Sequence, residues 1–277
     1  DLKNTEYINQ MYVVMVTKNG IIKKTSLEAY SRPRVNGVNA IEIREDDQLL
    51  AAKLTNGTSE IMIATKDGKC IRFPEEKARA VGRNSIGVRG ITLENKDEVI
   101  GMIVVNDVEN DSVLVVSERG YGKRTAVEDY RFTNRGGKGV KTLNITEKTG
   151  NLIAIQNVTD EDGLMIINKS GVAIRMSMSE LRVMGRNTQG VKVINLKNND
   201  EIAAIAKVQM DKDVEEENEE TADSPESKEP RPGEVDSDAV EFAKSPQTGD
   251  NAISNMGDAE YLKKVEEEEE KENAEDD

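Results

Sequence analysis

Residues 131–139, "RFTNRGGKG", place three cations and three glycines within nine positions. Glycine lets the main chain approach an oxyanion closely, and successive N–H groups can form an anion-binding nest. Arg135 offers a planar fork for a bidentate bond to a phosphate, and Lys138 adds a point charge. The chemistry open to this stretch is phosphate recognition that reads no bases. The other reading is a plain glycine-rich turn between strands.

Most other site chemistry is closed to this composition. The 277 residues include no histidine, no tryptophan and one cysteine. A Ser-His-Asp or Cys-His pair needs histidine. A zinc site needs several Cys or His ligands, and Cys70 stands alone. A disulfide within the chain is excluded, which fits a reducing cytoplasm. No apolar run approaches the roughly 20 residues of a membrane span. The chain starts at Asp1 without a signal peptide, and a fragment or cut domain is expected.

The formal charge of −15 is unevenly spread. Residues 210–277 hold 26 acidic and 7 basic side chains, a net of −19, whereas residues 1–209 keep a net of +4. Such asymmetry points to a polyanionic partner.

The elements that must position the cations repeat. Four apolar runs end in a turn glycine: "VVMVTKNG" at Gly20, "IMIATKDG" at Gly68, "VLVVSERG" at Gly120 and "LMIINKSG" at Gly171. Gly-Val pairs follow at Gly37, Gly87, Gly139 and Gly190, and ten residues later stand Asp47, Asp97, Thr149 and Asp200. Three markers in phase over four copies, spaced by 48 to 52 residues, define a repeat. The β-branched runs read as buried strands, and Asn19-Gly20 and Asp67-Gly68 as hairpin turns. A return strand, an alternating Gly-Val strand ("GVNAIEI", "GVRGITL") and a closing strand ("QLLAAKL", "EVIGMIVV") complete each unit. Four strands at this period predict an all-β, propeller-like array of four four-stranded blades. The absence of Trp, and a Gly-Gly doublet in only one copy, argue against WD40 and Kelch repeats.

The cations recur at equivalent places. Four residues after each turn glycine stand Lys24, Arg72, Arg124 and Arg175, with Lys23 and Lys123 preceding two of them. Four residues before three of the Gly-Val glycines stand Arg83, Arg135 and Arg186; the shorter first copy offers Arg32 and Arg34. A circular array would align these as a basic stripe on one rim, the footprint of a bound backbone. The alternative is that surface strands carry Lys and Arg for solubility and to blunt their edges.

"YGKRTAVEDY", "AVGRNSIGVRGITL" and "VMGRNTQGVKVINL" resemble the C-terminal β-pinwheel of the DNA gyrase A family of bacterial type II topoisomerases. The resemblance covers nearly all of residues 9–209. It implies a disc of usually six blades whose basic rim bends and wraps double-stranded DNA, serving ATP-dependent negative supercoiling. The four repeats look most like the third to sixth blades. The implied partners are DNA, the rest of the gyrase A polypeptide, and gyrase B in an A2B2 assembly, with no membrane. ATP and Mg2+ would belong to other parts of that holoenzyme, and the cleavage tyrosine lies upstream. The chain is therefore expected to hold no cofactor and not to cleave DNA alone. Arg135 to Gly139 resemble the core of the family's Gln-Arg-Arg-Gly-Gly-Lys-Gly box, but Thr133 and Asn134 replace its first residues, and the box normally sits in the first blade. The expected DNA-contact set is Lys23, Lys24, Arg32, Arg34, Arg72, Arg83, Lys123, Arg124, Arg135, Gly136, Gly137, Lys138, Gly139, Arg175 and Arg186.

The expected organisation is a leader at 1–8, repeats at about 9–58, 59–110, 111–161 and 162–209, and an acidic disordered tail at 210–277. The tail is expected to provide solubility or to compete with DNA for the basic rim. A cytoplasmic, nucleoid-associated location follows from the resemblance. Open alternatives are the corresponding domain of topoisomerase IV and a protein-interaction propeller.

Overall fold

The first three strands that precede the turn glycines are apolar through their middles because both faces are covered there. The computed structural model of the chain describes residues 4–196 and 200–209; the predicted acidic tail lies outside the described residues. Repeat one contains α1 (Thr5–Gln10), β1 (Tyr12–Thr17), β2 (Ile21–Ser26) and β3 (Leu49–Thr55). Repeat two contains β4 (Glu60–Thr65), β5 (Lys69–Pro74), β6 (Val88–Arg89) and β7 (Val99–Val105). Repeat three contains β8 (Ser112–Ser117), β9 (Tyr121–Ala126), β10 (Val140–Lys141) and β11 (Leu152–Val158). Repeat four contains β12 (Asp162–Asn168), β13 (Ala173–Ser177), β14 (Val191–Lys192) and β15 (Ile202–Gln209). Among the described residues no helix is long and apolar enough to cross a membrane.

Each blade is an antiparallel hairpin flanked on its first strand by the closing strand of the same repeat, in the order β3-β1-β2, β7-β4-β5, β11-β8-β9 and β15-β12-β13. The fourth place is filled from the next repeat. β6 pairs with β2, β10 with β5 and β14 with β9. The Gly-Val strand was expected inside its own unit; it belongs to the blade before. Three sheets thus have four strands and the fourth has three. Residues 38–43 of repeat one, with no preceding blade among the described residues, form no strand.

The exchange explains the Gly-Val glycine. Gly190 has φ +76°, and a Cβ there would lie 2.5 Å from the carbonyl oxygen of Gly122 in the preceding blade. Gly87 meets the Ile22 carbonyl at the same distance. Positive φ and a close backbone each exclude a side chain. The third marker caps the hairpins: Asp47 Oδ1 accepts from the Asn19 amide at 2.9 Å, and Asp97 Oδ1 from the Asp67 amide at 3.0 Å. In repeat three the cap is the Thr149 carbonyl, which accepts from Arg119 N at 3.1 Å.

The core lies between blades. Val14, Val16 and Ile22 of the first pack with Ile61, Ile63, Ile71 and Phe73 of the second. Met62, Ile103 and Cys70 continue to Val113, Val115 and Tyr130 of the third, and Leu114 and Val116 continue to Leu164, Ile166 and Met178 of the fourth. Each fully buried aliphatic side chain contributes on the order of 1.5–3 kcal/mol. Consecutive blades therefore stabilise one another, as in other repeat arrays.

Candidate nucleic-acid interface

The structure divides the predicted cations into two groups. Lys23, Lys24, Arg72, Lys123 and Arg124 are all at least nine-tenths buried. They do not project from a rim, and the expectation that they would is corrected by what surrounds them. Each hairpin is followed by a 3-10 turn, and the strand cation of one blade holds the turn of the next. Lys24 Nζ pairs with Glu75 at 2.8 Å and lies 4.2 Å from the Tyr12 ring. Arg72 pairs with Glu60 at 2.7 Å and donates to the carbonyls of Val127 and Tyr130 at 2.7 and 2.9 Å. Arg124 pairs with Asp160 at 2.6 Å and donates to the Met178 carbonyl at 2.7 Å. A buried charge is tolerated only with such partners. Arg175 has no following blade among the described residues; it is exposed and donates to the Gln209 carbonyl at 2.5 Å.

Lys23 and Lys123 reach loops instead. Lys23 Nζ donates to Ala40 O at 2.7 Å and to Arg83 O. Lys123 Nζ donates to Gly185 O at 2.8 Å, to Arg186 O, and to Thr188 O at 3.1 Å. Burial, and then the neighbouring Arg186, holds the Lys123 ammonium down at about 8, well below the ordinary lysine range. Lys23 is lowered by burial and by Arg83 in the same way.

The loop arginines form the second group. Arg83, Arg135 and Arg186 are half-buried, and each donates to the carbonyl two residues past the preceding repeat's Gly-Val glycine. Arg83 reaches Asn39 O at 3.1 Å, Arg135 reaches Arg89 O at 3.1 Å, and Arg186 reaches Lys141 O at 2.8 Å. Arg135 Nε also donates to Lys77 O at 2.8 Å. These bonds bring Arg135 against Arg89, and Arg186 against Lys141, so that loop and outer-strand cations alternate from blade to blade.

Sequence reasoning missed six cations of this group. Arg79, Arg131 and Arg182 stand four residues before the loop arginines, and Arg89, Lys141 and Lys192 end the outer strands; all six are exposed. The signal was a spaced motif, R-x-x-x-R-x-x-x-G-V-[R/K], present in repeats two, three and four. Arg32 and Arg34 are exposed in the first repeat, outside that motif.

The "RGGKG" loop is a shaped turn. Gly136, at φ +82°, donates its amide to Gly90 O at 2.6 Å, so that amide is committed and does not complete an anion nest. Thr92 donates from N to Gly137 O at 2.9 Å and from Oγ1 to Gly136 O at 2.6 Å. A Cβ on Gly139 would lie 2.7 Å from Cys70 O. Lys138 is 67% exposed and pairs with Glu94 at 2.5 Å, and Lys69 joins the same carboxylate. Hydrogen bonds from Lys138 and then Lys69 hold the Glu94 carboxyl at about 2. The pair is open to solvent and weakened by salt.

Known proteins share this fold. A model of the DNA gyrase C-terminal domain, beta-propeller, matches residues 12–56, 59–106, 111–159 and 164–209. The DNA gyrase A polypeptide of Staphylococcus aureus (strain MRSA252) is 44% identical over 232 residues, covering 80% of this chain and 26% of the relative. Its counterpart from strain NCTC 8325 / PS 47 is 45% identical over 222 residues, 76% of this chain and 25% of the relative. The chain thus spans about a quarter of these relatives' length. In fold it is similar to the C-terminal domain of DNA topoisomerase IV, at TM-score 0.68 and 24% identity over 72% of this chain and 62% of that one. It is also similar in fold to a DNA gyrase A C-terminal domain, at TM-score 0.65 and 24% identity over 72% and 66% of the two chains. With four matched repeats and 44% identity to a gyrase A relative, the chain belongs to the DNA gyrase C-terminal domain, beta-propeller, family.

Proposed function

We propose that the chain binds double-stranded DNA without sequence preference and bends it along the loop and outer-strand cations. The observation that carries the reading is the threefold R-x-x-x-R-x-x-x-G-V-[R/K] motif, whose central arginine is anchored on a carbonyl of the preceding repeat's Gly-Val segment. Cations at fixed spacing on a rigid frame suit a phosphate backbone, and no side chain here needs to enter a groove. The contact set is Arg79, Arg83, Arg89, Arg131, Arg135, Lys138, Lys141, Arg182, Arg186 and Lys192, with Arg32, Arg34 and Arg175 beside it. The buried Lys24, Arg72 and Arg124 serve this set by holding the blades together. Bending costs of order 1–6 kcal/mol over 20–30 base pairs, and many distributed contacts offset it.

The identity to gyrase A chains supports a place for this DNA segment beside the cleavage core of a type II topoisomerase. There the bent DNA would be passed with one handedness, giving negative supercoils in an A2B2 assembly that draws on ATP and Mg2+ elsewhere. DNA affinity measured against salt concentration tests the reading. With about six phosphates contacted, log K against log salt has a slope of roughly −5. A flat response overturns it and leaves a protein-binding propeller. Topology assays on relaxed circles then test bending and handedness.

A further inference from the structure

The third residue after each turn glycine alternates: Lys23, Ile71, Lys123, Ile174. Each of the first three faces the arginine loop of the next repeat. Lys23 and Lys123 stand under "GRNSIG" and "GRNTQG", whereas Ile71 stands under "RGGKG", where its Cδ1 would lie 3.6 Å from a Cβ on Gly137. Two kinds of loop thus sit on two kinds of floor. A lysine floor needs carbonyl acceptors; an isoleucine floor needs glycine to let the backbone come down on it.

The lysine floor has a consequence for the outer side of the loop. In a planar trans peptide the C=O and the following N–H point in opposite directions. The carbonyls of Gly185, Arg186 and Thr188 point at Lys123, so the N–H groups of Arg186, Asn187 and Gln189 are turned the other way. In repeat two the Arg83 carbonyl points at Lys23, so the Asn84 N–H turns away. These amides are turned to the outer side of the loop, as a phosphate site built with the loop arginine would need.

We infer that Lys123, and Lys23 in the first blade, are positioning residues for DNA: each pulls the next repeat's loop carbonyls inward and so presents its amides and arginine to a phosphate. This rests on the DNA reading above. Lys123 touches no phosphate itself, since its side chain is buried. The charged ammonium offers these carbonyls three strong donors and the neutral amine only two weaker ones, which connects the loop to pH. The charged groups facing it are Arg186, which opposes protonation, and Asp129, which favours it. Cys70 and Tyr130, which lie near Arg186, are both raised by burial and stay protonated across the lysine's range.

Lys123→Met, Arg186→Ala and the double variant, each measured for affinity to a linear DNA duplex over a salt series, test the inference. If the lysine acts through the loop, Lys123→Met makes the salt slope about one unit less negative, as Arg186→Ala does. The double variant then binds no more weakly than the weaker single one. Losses that multiply, or a normal slope with lowered thermal stability, would make the lysine purely structural. Should Lys123→Met fail to fold, the unaltered chain decides. Its affinity should fall as pH rises through about 8, and the fall should vanish in Arg186→Ala; a flat profile from pH 7 to 9 overturns the inference. An unchanged slope in Arg186→Ala itself, together with Arg83→Ala and Arg135→Ala, would instead sink the DNA reading.

Discussion

Arg124 and Arg186 are the same residue type, recur with the same period and sit one blade apart, yet they do opposite work. Arg124 is 4% exposed, with its guanidinium on an aspartate and a turn carbonyl. Arg186 is half-buried, anchored by one carbonyl and flanked by the exposed Arg182 and Lys192. A periodic cation therefore marks a repeated environment without saying which side of the surface it is on. A strand cation enters the seam because the next repeat's 3-10 turn offers it acceptors there, the Glu75 carboxylate for Lys24 and main-chain carbonyls for Arg72 and Arg124. A loop cation stays half-exposed, met by one carbonyl at Arg83 and Arg186 and by two at Arg135.

Opening the seam gives the largest effect. Glu75→Ala leaves Lys24 buried without its carboxylate, and such a loss costs about 3–5 kcal/mol. Denaturant unfolding should register that, while the DNA salt slope of the folded fraction stays unchanged. A moved slope would erase the distinction between seam and surface.

The Gly-Val glycines come next. Gly190→Ala must accept both positive φ and a Cβ 2.5 Å from Gly122 O, whereas Gly37→Ala meets nothing within 4 Å. The first should cost more than the roughly 1–2 kcal/mol of left-handed backbone strain, and the second about that amount alone. Equal losses in thermal unfolding would deny that the exchanged strand packs as described.

On the surface side, Arg79→Ala, Arg131→Ala and Arg182→Ala combined should make the slope of log K against log salt about three units less negative. Stability should move by no more than about 0.5 kcal/mol per site. Removing residues 211–277, with their negative charge, should tighten DNA binding at low salt and have little effect at high salt. Unchanged affinity would leave the tail a solubility element. The smallest change is expected from Lys138→Ala, whose exposed ammonium already shares Glu94 with Lys69.

Much of the fold was legible because its markers are local. Turn glycines need positive φ, hairpin strands need β-branched apolar residues, and Asp47 and Asp97, ten past their Gly-Val glycines, cap turns; each demand falls on one position of the repeat. The strand exchange was not legible. "GVRGITL" alternates as any strand does, and nothing in its pattern says whether β6 pairs with its own repeat or with β2 of the one before. Within the candidate site, Arg83, Arg135 and Arg186 were readable from their spacing, but Arg79, Arg131 and Arg182 were passed over although they obey the same period. "RGGKG" looked exceptional by composition. In place it is the one described loop that rests on isoleucine, and its glycines serve that floor and the backbone of Cys70 as much as any ligand.

Residue type and period were enough to define the repeat, the all-β class, the number of blades among the described residues and the positions at which cations recur. They could not say which cations are buried, which repeat completes which blade, or which lysines hold the arginine loops. Those outcomes depend on acceptors and backbone brought in from the neighbouring repeat about fifty residues away, so they exist only once the chain has folded, and no local pattern carries them.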